Sequence, residues 1–310
     1  MTAVGARDSR TPVVAAGAHA DVVGEVVDLV GSVREATWIV DGARATADSP
    51  DDVRASALAM AARRAAGEPL QYVLGTWSFR SLELAVDRRV LIPRPETEQV
   101  VDVALGELSR IDARRAETPG AAAEGPLVCV DLGTGSGAIA LALAAEWNPS
   151  GTPLEVWAVD ASPDALEVAR TNRDALSVTD PAAARRVTFA GGSWFDALPT
   201  RLARRLDLVV ANPPYVAEEE FADLDPTVRD WEPRSALVAR RGRSGVAGMA
   251  DVEAVVAGAG AWLARAGGLV VELAPSQAYA AIDAARRAGF SRVGTARDLA
   301  GRLRMLVAER

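Results

Sequence analysis

Lysine does not occur among the 310 residues, and histidine and cysteine occur once each, as His19 and Cys129. All 34 positive charges are therefore arginine, against 42 carboxylates and a net charge of -8. An all-arginine composition is what a GC-rich genome produces. The acidic balance lacks the basic excess that a phosphate-tracking surface needs, which disfavours direct nucleic-acid binding. A single cysteine makes no internal disulfide, and with one histidine it furnishes no Cys/His zinc site, so no metal is expected. A Ser-His-Asp triad falls as well, because His19 sits in an unpatterned N-terminal tail. Cys129 lies in the apolar run Leu127-Val128-Cys129-Val130, which reads as a buried strand and not as an exposed nucleophile. No apolar run approaches the ~20 residues that span a bilayer. The stretch before Ala18-His19-Ala20 is too short for a secretory signal. The expectation is a cytoplasmic monomer with no membrane partner.

What is present divides into two textures. Residues 1–20 carry no pattern and are expected to be a disordered tail. From Asp21 to Leu74 the apolar spacing is helical, with Val22, Val23, Val26, Val27 and Val30 on one stripe and Val53, Leu58, Met60 and Ala61 on a later one. Ser49, Pro50, Asp51 and Asp52 supply a cap, an N1 proline and first-turn acids for that later helix. Residues 75–94 approach period two and predict a linking β-hairpin. A helix then opens at Pro95, and a flexible Ala/Gly/Pro-rich stretch runs from Glu117 to Pro126. Beyond it, strands at 127–131, 154–160, 186–190, 206–211, 268–274, 291–297 and 303–308 alternate with helices at 137–147, 163–175, 250–265 and 276–288. This is the pattern of an α/β doubly wound, mostly parallel sheet, which binds ligands at the carboxyl ends of its strands, within a domain spanning 95–310.

The first strand end reads Asp131-Leu132-Gly133-Thr134-Gly135-Ser136-Gly137 and runs into an apolar helix. Its glycines permit a sharp turn and a close ligand approach. The second strand ends in Asp160, placed to accept two ribose hydroxyls. A dinucleotide loop satisfies the same pattern, so a nicotinamide enzyme remains open on the glycines alone. Asp131 tilts the balance towards S-adenosylmethionine, since a carboxylate there suits a sulfonium and repels a pyrophosphate. Trp194, after the third strand, is placed either to stack on adenine or to fill the core.

The most specific feature is Asn212-Pro213-Pro214-Tyr215, which follows the apolar strand Leu206–Val210. Two prolines make a rigid loop that projects its carbonyls. The Asn212 side-chain oxygen and the Pro213 carbonyl can accept both hydrogens of a planar NH2 group while Tyr215 packs on its face. No group on this chain can deprotonate an amide at neutral pH, so such a site works mainly by positioning.

That tetrapeptide occurs in amino-methyltransferases of several kinds. Together with Gly67-Glu68-Pro69-Leu70-Gln71-Tyr72-Val73-Leu74-Gly75, Ile92-Pro93-Arg94-Pro95-Glu96-Thr97-Glu98, the Asp131–Ala140 loop and Glu232-Pro233-Arg234, it resembles the HemK/PrmC family of peptide chain release factor N5-glutamine methyltransferases. The resemblance runs from about Asp41 to Arg310. It implies a class I methyltransferase fold, a small N-terminal helical domain that helps grip the release factor, and methyl transfer from S-adenosylmethionine to the glutamine of a Gly-Gly-Gln loop. It also implies cofactor contacts at Gly133, Thr134, Gly135, Ser136, Gly137, Asp160, Trp194 and Asn212, and a substrate grip at Asn212, Pro213, Pro214 and Tyr215. Arg94, Thr97 and Glu98 are either a plain helix start or part of the cofactor pocket. The chain departs from the family pattern at Ser193, where an acid is common, and in the longer, basic stretch Arg240–Met249, which reads as a solvated loop or an altered partner surface.

Overall fold

The computed structural model describes residues 14–117, 125–147 and 152–310. Contacts divide the chain into two units, Met1–Leu74 and Gly75–Arg310.

The first unit consists of α1 (Val14–Val30), α2 (Val33–Thr46), α3 (Pro50–Ala65) and the short α4 (Leu70–Leu74). Ser32 and Ser49 cap α2 and α3 by accepting the N–H groups of Glu35 and Asp52, and Pro50 opens α3, where a missing N–H costs nothing. The apolar stripes close on a core in which Val26, Ile39, Val40, Ala57 and Ala61 are buried. Helix α1 begins at Val14, ahead of Asp21, so part of the expected tail is helical backbone, His19 included; residues 1–13 lie outside the described residues. Alanine favours helix without leaving a periodic stripe, which is why pattern alone does not find this segment. In the motif before Gly75, Glu68 holds Arg63 at 2.6 Å, and the same guanidinium donates to the Tyr72 carbonyl at 3.1 Å.

The second unit opens with an antiparallel hairpin, β1 (Thr76–Phe79) and β2 (Leu82–Ala85), followed by α5 (Pro95–Glu117). Then come β3 (Leu127–Leu132), α6 (Ala138–Glu146), β4 (Leu154–Asp160), α7 (Pro163–Thr179), α8 (Pro181–Arg185), β5 (Val187–Gly191) and β6 (Leu206–Ala211). After them lie β7 (Val216–Ala217), α9 (Pro226–Arg229), α10 (Arg234–Leu237), β8 (Val238–Ala239), α11 (Ala250–Trp262) and β9 (Leu263–Glu272). The chain ends with α12 (Ala278–Arg287), β10 (Arg292–Arg297) and β11 (Leu303–Glu309). Seven strands form one sheet in the order β10-β11-β9-β6-β3-β4-β5, parallel except for β11, which runs antiparallel to both neighbours. This is the doubly wound, mostly parallel sheet that the strand pattern predicts, and the class I methyltransferase-like arrangement that the resemblance implies. Most of the flexible stretch expected from Glu117 to Pro126 lies outside the described residues.

Strands β3 and β6 are buried at every position, as parallel strands covered on both faces must be. Their side chains alternate between two layers. Cys129, Leu208 and Val210 join the core beneath α5, α6 and α8, while Val130, Val209 and Ala211 join the core beneath α11 and α12. Burial pushes the Cys129 thiol well up, which removes it as a nucleophile. Strand β9 starts at Leu263 and not at 268, because Leu263 already pairs with Leu206 before a register shift between Leu206 and Leu208. No helix among the described residues is long and apolar enough to cross a membrane.

Candidate functional site

The strand order reverses between β3 and β6, so the loops leaving these parallel neighbours diverge and open a crevice at their carboxyl ends. A cavity of about 740 Å³ fills it, lined by the loops after β3, β4, β5 and β6 and by residues 88–97. That volume lies inside the ~300–1,000 Å³ usual for small-molecule sites.

The loop after β3 turns through Gly133, Gly135 and Gly137, whose φ values of 75°, 55° and 84° are all left-handed. A Cβ on Gly137 would press against Leu141 Cδ1 at 3.1 Å and Ala169 Cβ at 3.3 Å, so this glycine sets the turn without itself lining the cavity. Gly133, Thr134, Gly135 and Ser136 do line it. The Gly133 and Thr134 N–H groups both donate to the Val159 carbonyl, at 2.8 and 2.9 Å. From below, Asn172 donates to the Ser136 carbonyl at 2.8 Å while exchanging bonds with the Ala85 backbone on β2, tying loop to hairpin.

Asp160 lines the cavity, and its two oxygens accept the N–H groups of Gly135 and Ser162, each at 2.8 Å. Asp131 does not reach the cavity wall. It lies wholly buried beneath the loop, where Oδ2 accepts from Thr134 Oγ1 at 2.6 Å and from the Ala140 N–H at 3.2 Å, while Oδ1 is buried with no hydrogen-bond partner. Burial pushes this carboxyl up to about 7; the two hydrogen bonds oppose the rise and the charge of Asp160 adds to it. Asp131 thus braces the glycine turn, which the sequence argument from charge alone did not anticipate.

Trp194 lines the cavity half-buried, in a left-handed conformation with φ of 45°, which is strained for a bulky residue. Its ring edge comes within 3.5 Å of where a Cβ on Gly133 would stand. The neighbouring Phe195 turns the other way, into the core, and stacks against Trp262 with centroids 6.0 Å apart. Trp194 thus lines the cavity with one part and packs against the core beneath α11 and α12 with another, between the two placements expected of it.

Asn212 and Pro214 line the cavity; Pro213 is buried outside its wall, and Tyr215 is half-buried beside it. The Asn212 Nδ2 donates to Thr97 Oγ1 at 3.2 Å, and that hydroxyl donates to Glu272 Oε2 at 2.8 Å. The Tyr215 hydroxyl stands 3.5 Å from Glu272 Oε1, and Gln277 Nε2 donates to the Tyr215 carbonyl at 2.9 Å. Burial, with the Glu272 charge adding, pushes the Tyr215 phenol up to about 12. Glu272 and Gln277 were missed in the sequence. The signal for Glu272 was available: it ends the apolar strand Leu269-Val270-Val271 as Asp160 and Asn212 end theirs.

The remaining motifs act as braces. Glu232 is buried, pairs with Arg94 and accepts the Ile92 N–H at 3.0 Å, so the two distant motifs Ile92–Glu98 and Glu232–Arg234 meet at the cavity rim. Arg94 and Thr97 line the cavity, whereas Glu98 turns away and accepts the Arg80 N–H at 2.9 Å. The stretch Arg240–Met249 is only partly a solvated loop. A Cβ on Gly248 would collide with the Tyr215 carbonyl, Gln277 also holds the Ala247 carbonyl at 3.1 Å, and Met249 is fully buried. Among the described residues no group of three or more His, Cys, Asp or Glu could hold a metal.

Asp131 carries a pH prediction. Between its ordinary 3.8 and its folded value of about 7, the folded state binds the proton and the unfolded state does not. Stability from this group is therefore complete below about pH 4 and is lost as pH rises to about 7, at no more than ~1.4 kcal/mol per pH unit. Urea unfolding across that window should give a difference, wild type minus Asp131→Asn, that shrinks as pH rises; a flat or rising difference would contradict the buried, proton-holding placement.

Residues 125–247 match a family model described as a methyltransferase domain. A release factor glutamine methyltransferase of Burkholderia pseudomallei is 40% identical over 257 residues, covering 82% of this chain and 81% of the relative. Its counterpart in Cereibacter sphaeroides is 37% identical over 274 residues, covering 87% and 86%. That of Bordetella pertussis is 40% identical over 243 residues, covering 78% of each. Likeness at this level over 78–87% of the chain leaves one conclusion: the chain belongs to the release factor glutamine methyltransferase family.

Proposed function

We propose that this protein transfers a methyl group from S-adenosylmethionine to the side-chain amide nitrogen of the glutamine in the Gly-Gly-Gln loop of a peptide chain release factor. The observation that carries this reading is Asn212, held by Thr97 at the cavity wall, on a proline-stiffened turn beside a left-handed glycine loop. The cradle suits the methyl donor: glycines in left-handed conformations that leave backbone open to a ligand, a carboxylate at Asp160 for ribose hydroxyls, and the half-buried face of Trp194 for a purine. When bound, S-adenosylmethionine supplies an electrophilic methyl group on a sulfonium.

The protein's own residues must do the rest. An amide nitrogen is a weak nucleophile, so alignment has to supply much of the acceleration, for which ~7–11 kcal/mol is available. Asn212 Oδ1 and the Pro213 carbonyl accept the two N–H groups of the substrate amide, Tyr215 packs on its face, and Pro214 stiffens the turn. As the nitrogen begins to carry positive charge its N–H groups become stronger donors, so these contacts tighten towards the transition state. Asp131, under the loop, acts through Thr134 and the start of α6 rather than by touching the donor. The helical segment 21–74 contributes to the grip on the release factor. We place the reaction in the cytoplasm and on a monomer, with no direct nucleic-acid contact.

Two substitutions test the roles. Asn212→Ala should lower the single-turnover rate at saturating S-adenosylmethionine by at least ~10²-fold, with a smaller effect on release-factor affinity. A mutant that methylates at the parental rate would reduce Asn212 to a turn residue. Trp194→Ala should raise the dissociation constant for S-adenosylmethionine in calorimetry while the ligand-free protein melts nearly as before. A loss of about 3–5 kcal/mol of stability with unchanged affinity would instead make Trp194 a core residue.

A further inference from the structure

Thr97 is 4% exposed and Glu272 1%, so the Thr97–Glu272 end of the chain is shielded from water that would otherwise satisfy it, while Asn212 stands at the cavity wall. A hydroxyl carries one proton. In Thr97 that proton is committed to Glu272 Oε2 at 2.8 Å, because an ionised carboxylate can only accept. The lone pairs left on Thr97 Oγ1 can in turn only accept, which requires a donor from Asn212 at 3.2 Å and selects Nδ2. The two ends of an asparagine amide have nearly the same shape, and hydrogen bonding alone decides which way round it sits. With Nδ2 held back, Oδ1 is the end available to a substrate.

We propose that Glu272 is a positioning residue for methyl transfer, which acts through the Thr97 hydroxyl to fix the Asn212 amide with its oxygen, and not its nitrogen, presented to the substrate. The inference rests on the reading of Asn212 as an acceptor for a substrate NH2. A flipped Asn212 would meet that NH2 with its own, donor against donor. Glu272 stands at the end of β9, Thr97 in the first turn of α5 and Asn212 after β6, so three elements converge on one hydrogen-bond direction. The groups facing Glu272 are Thr97 and Glu96 on α5, Tyr215 in the turn and Arg304 on β11. Burial pushes its carboxyl up to about 7; the Thr97 bond, Arg304 and Tyr215 oppose the rise and Glu96 adds to it. A protonated Glu272 can donate to Thr97, which frees the hydroxyl to donate to Asn212 Oδ1 and reverses the chain. Turnover should therefore fall as pH drops below about 7, and at higher pH the direction is fixed.

Glu272→Gln is the test, since it keeps the shape and supplies a donor at all pH values. In full-length protein labelled with ¹⁵N at asparagine, the Asn212 side-chain NH2 resonance should show a cross-peak to Thr97 in the wild type and should shift or broaden in Glu272→Gln. In single turnover at saturating S-adenosylmethionine the variant should be slower by at least ~10-fold, below the ~10²–10³-fold of losing a preorganised contact outright, with its affinity for the methyl donor held and its acid limb gone. Thr97→Val should lose rate similarly, and Thr97→Ser should recover most of it. An unchanged Asn212 resonance in Glu272→Gln, or a parental rate in Glu272→Gln or Thr97→Val, would overturn the proposal. The resonance is read without release factor, so a failure of the proposed substrate leaves that outcome standing on its own.

Discussion

A parallel sheet buried on both faces admits few polar groups along its length, Asp131 in β3 and Asp207 in β6 being buried exceptions, and this constraint decides where the cavity-facing polar groups of the second unit go. Strands β3 and β6 are closed at every position, so the cavity-facing polar side chains gather where the strands end: Asp160 at the end of β4, Asn212 after β6, Glu272 at the end of β9. The reversal of strand order between β3 and β6 spreads the loops apart at the same end. Cavity and polar groups therefore coincide for a topological reason, and the glycine loop only has to turn sharply enough to keep out of the way.

Much of what looks like chemistry in the sequence is bracing that makes the chemistry rigid. Asn172 satisfies three backbone groups on two segments; Glu232 fastens the Ile92–Arg94 strap; Gln277 bridges the Tyr215 turn to the Ala247 carbonyl. Asp131 does the same for the glycine loop at the expense of a buried oxygen without a partner. A poor nucleophile needs alignment more than it needs acid or base, and a cavity whose walls are pinned by buried hydrogen bonds is suited to supply it.

The strand and helix order was legible because hydrophobic period follows secondary structure directly, and Ser49-Pro50 announces its helix through the backbone groups it satisfies. The cavity-facing members Gly133, Asp160, Trp194 and Asn212 were legible because each follows a strand. What was not legible was direction and depth. Charge alone pointed Asp131 outward, yet its hydrogen bonds to Thr134 and Ala140 hold it below the loop. Pro213 and Tyr215 share a motif with Asn212 but not its wall of the cavity. Thr97 and Glu272 lie far apart in sequence, and nothing local says that one hydroxyl joins them. An alanine-rich helix start at Val14 leaves no stripe to read.

The central claim, that this site methylates a glutamine amide of a release factor, is tested most directly by mass spectrometry of purified release factor incubated with this protein and isotopically labelled S-adenosylmethionine. The account predicts a single labelled methyl group on the side-chain nitrogen of the Gly-Gly-Gln glutamine. An unmodified glutamine, or label on a nucleic-acid base in its place, would contradict it.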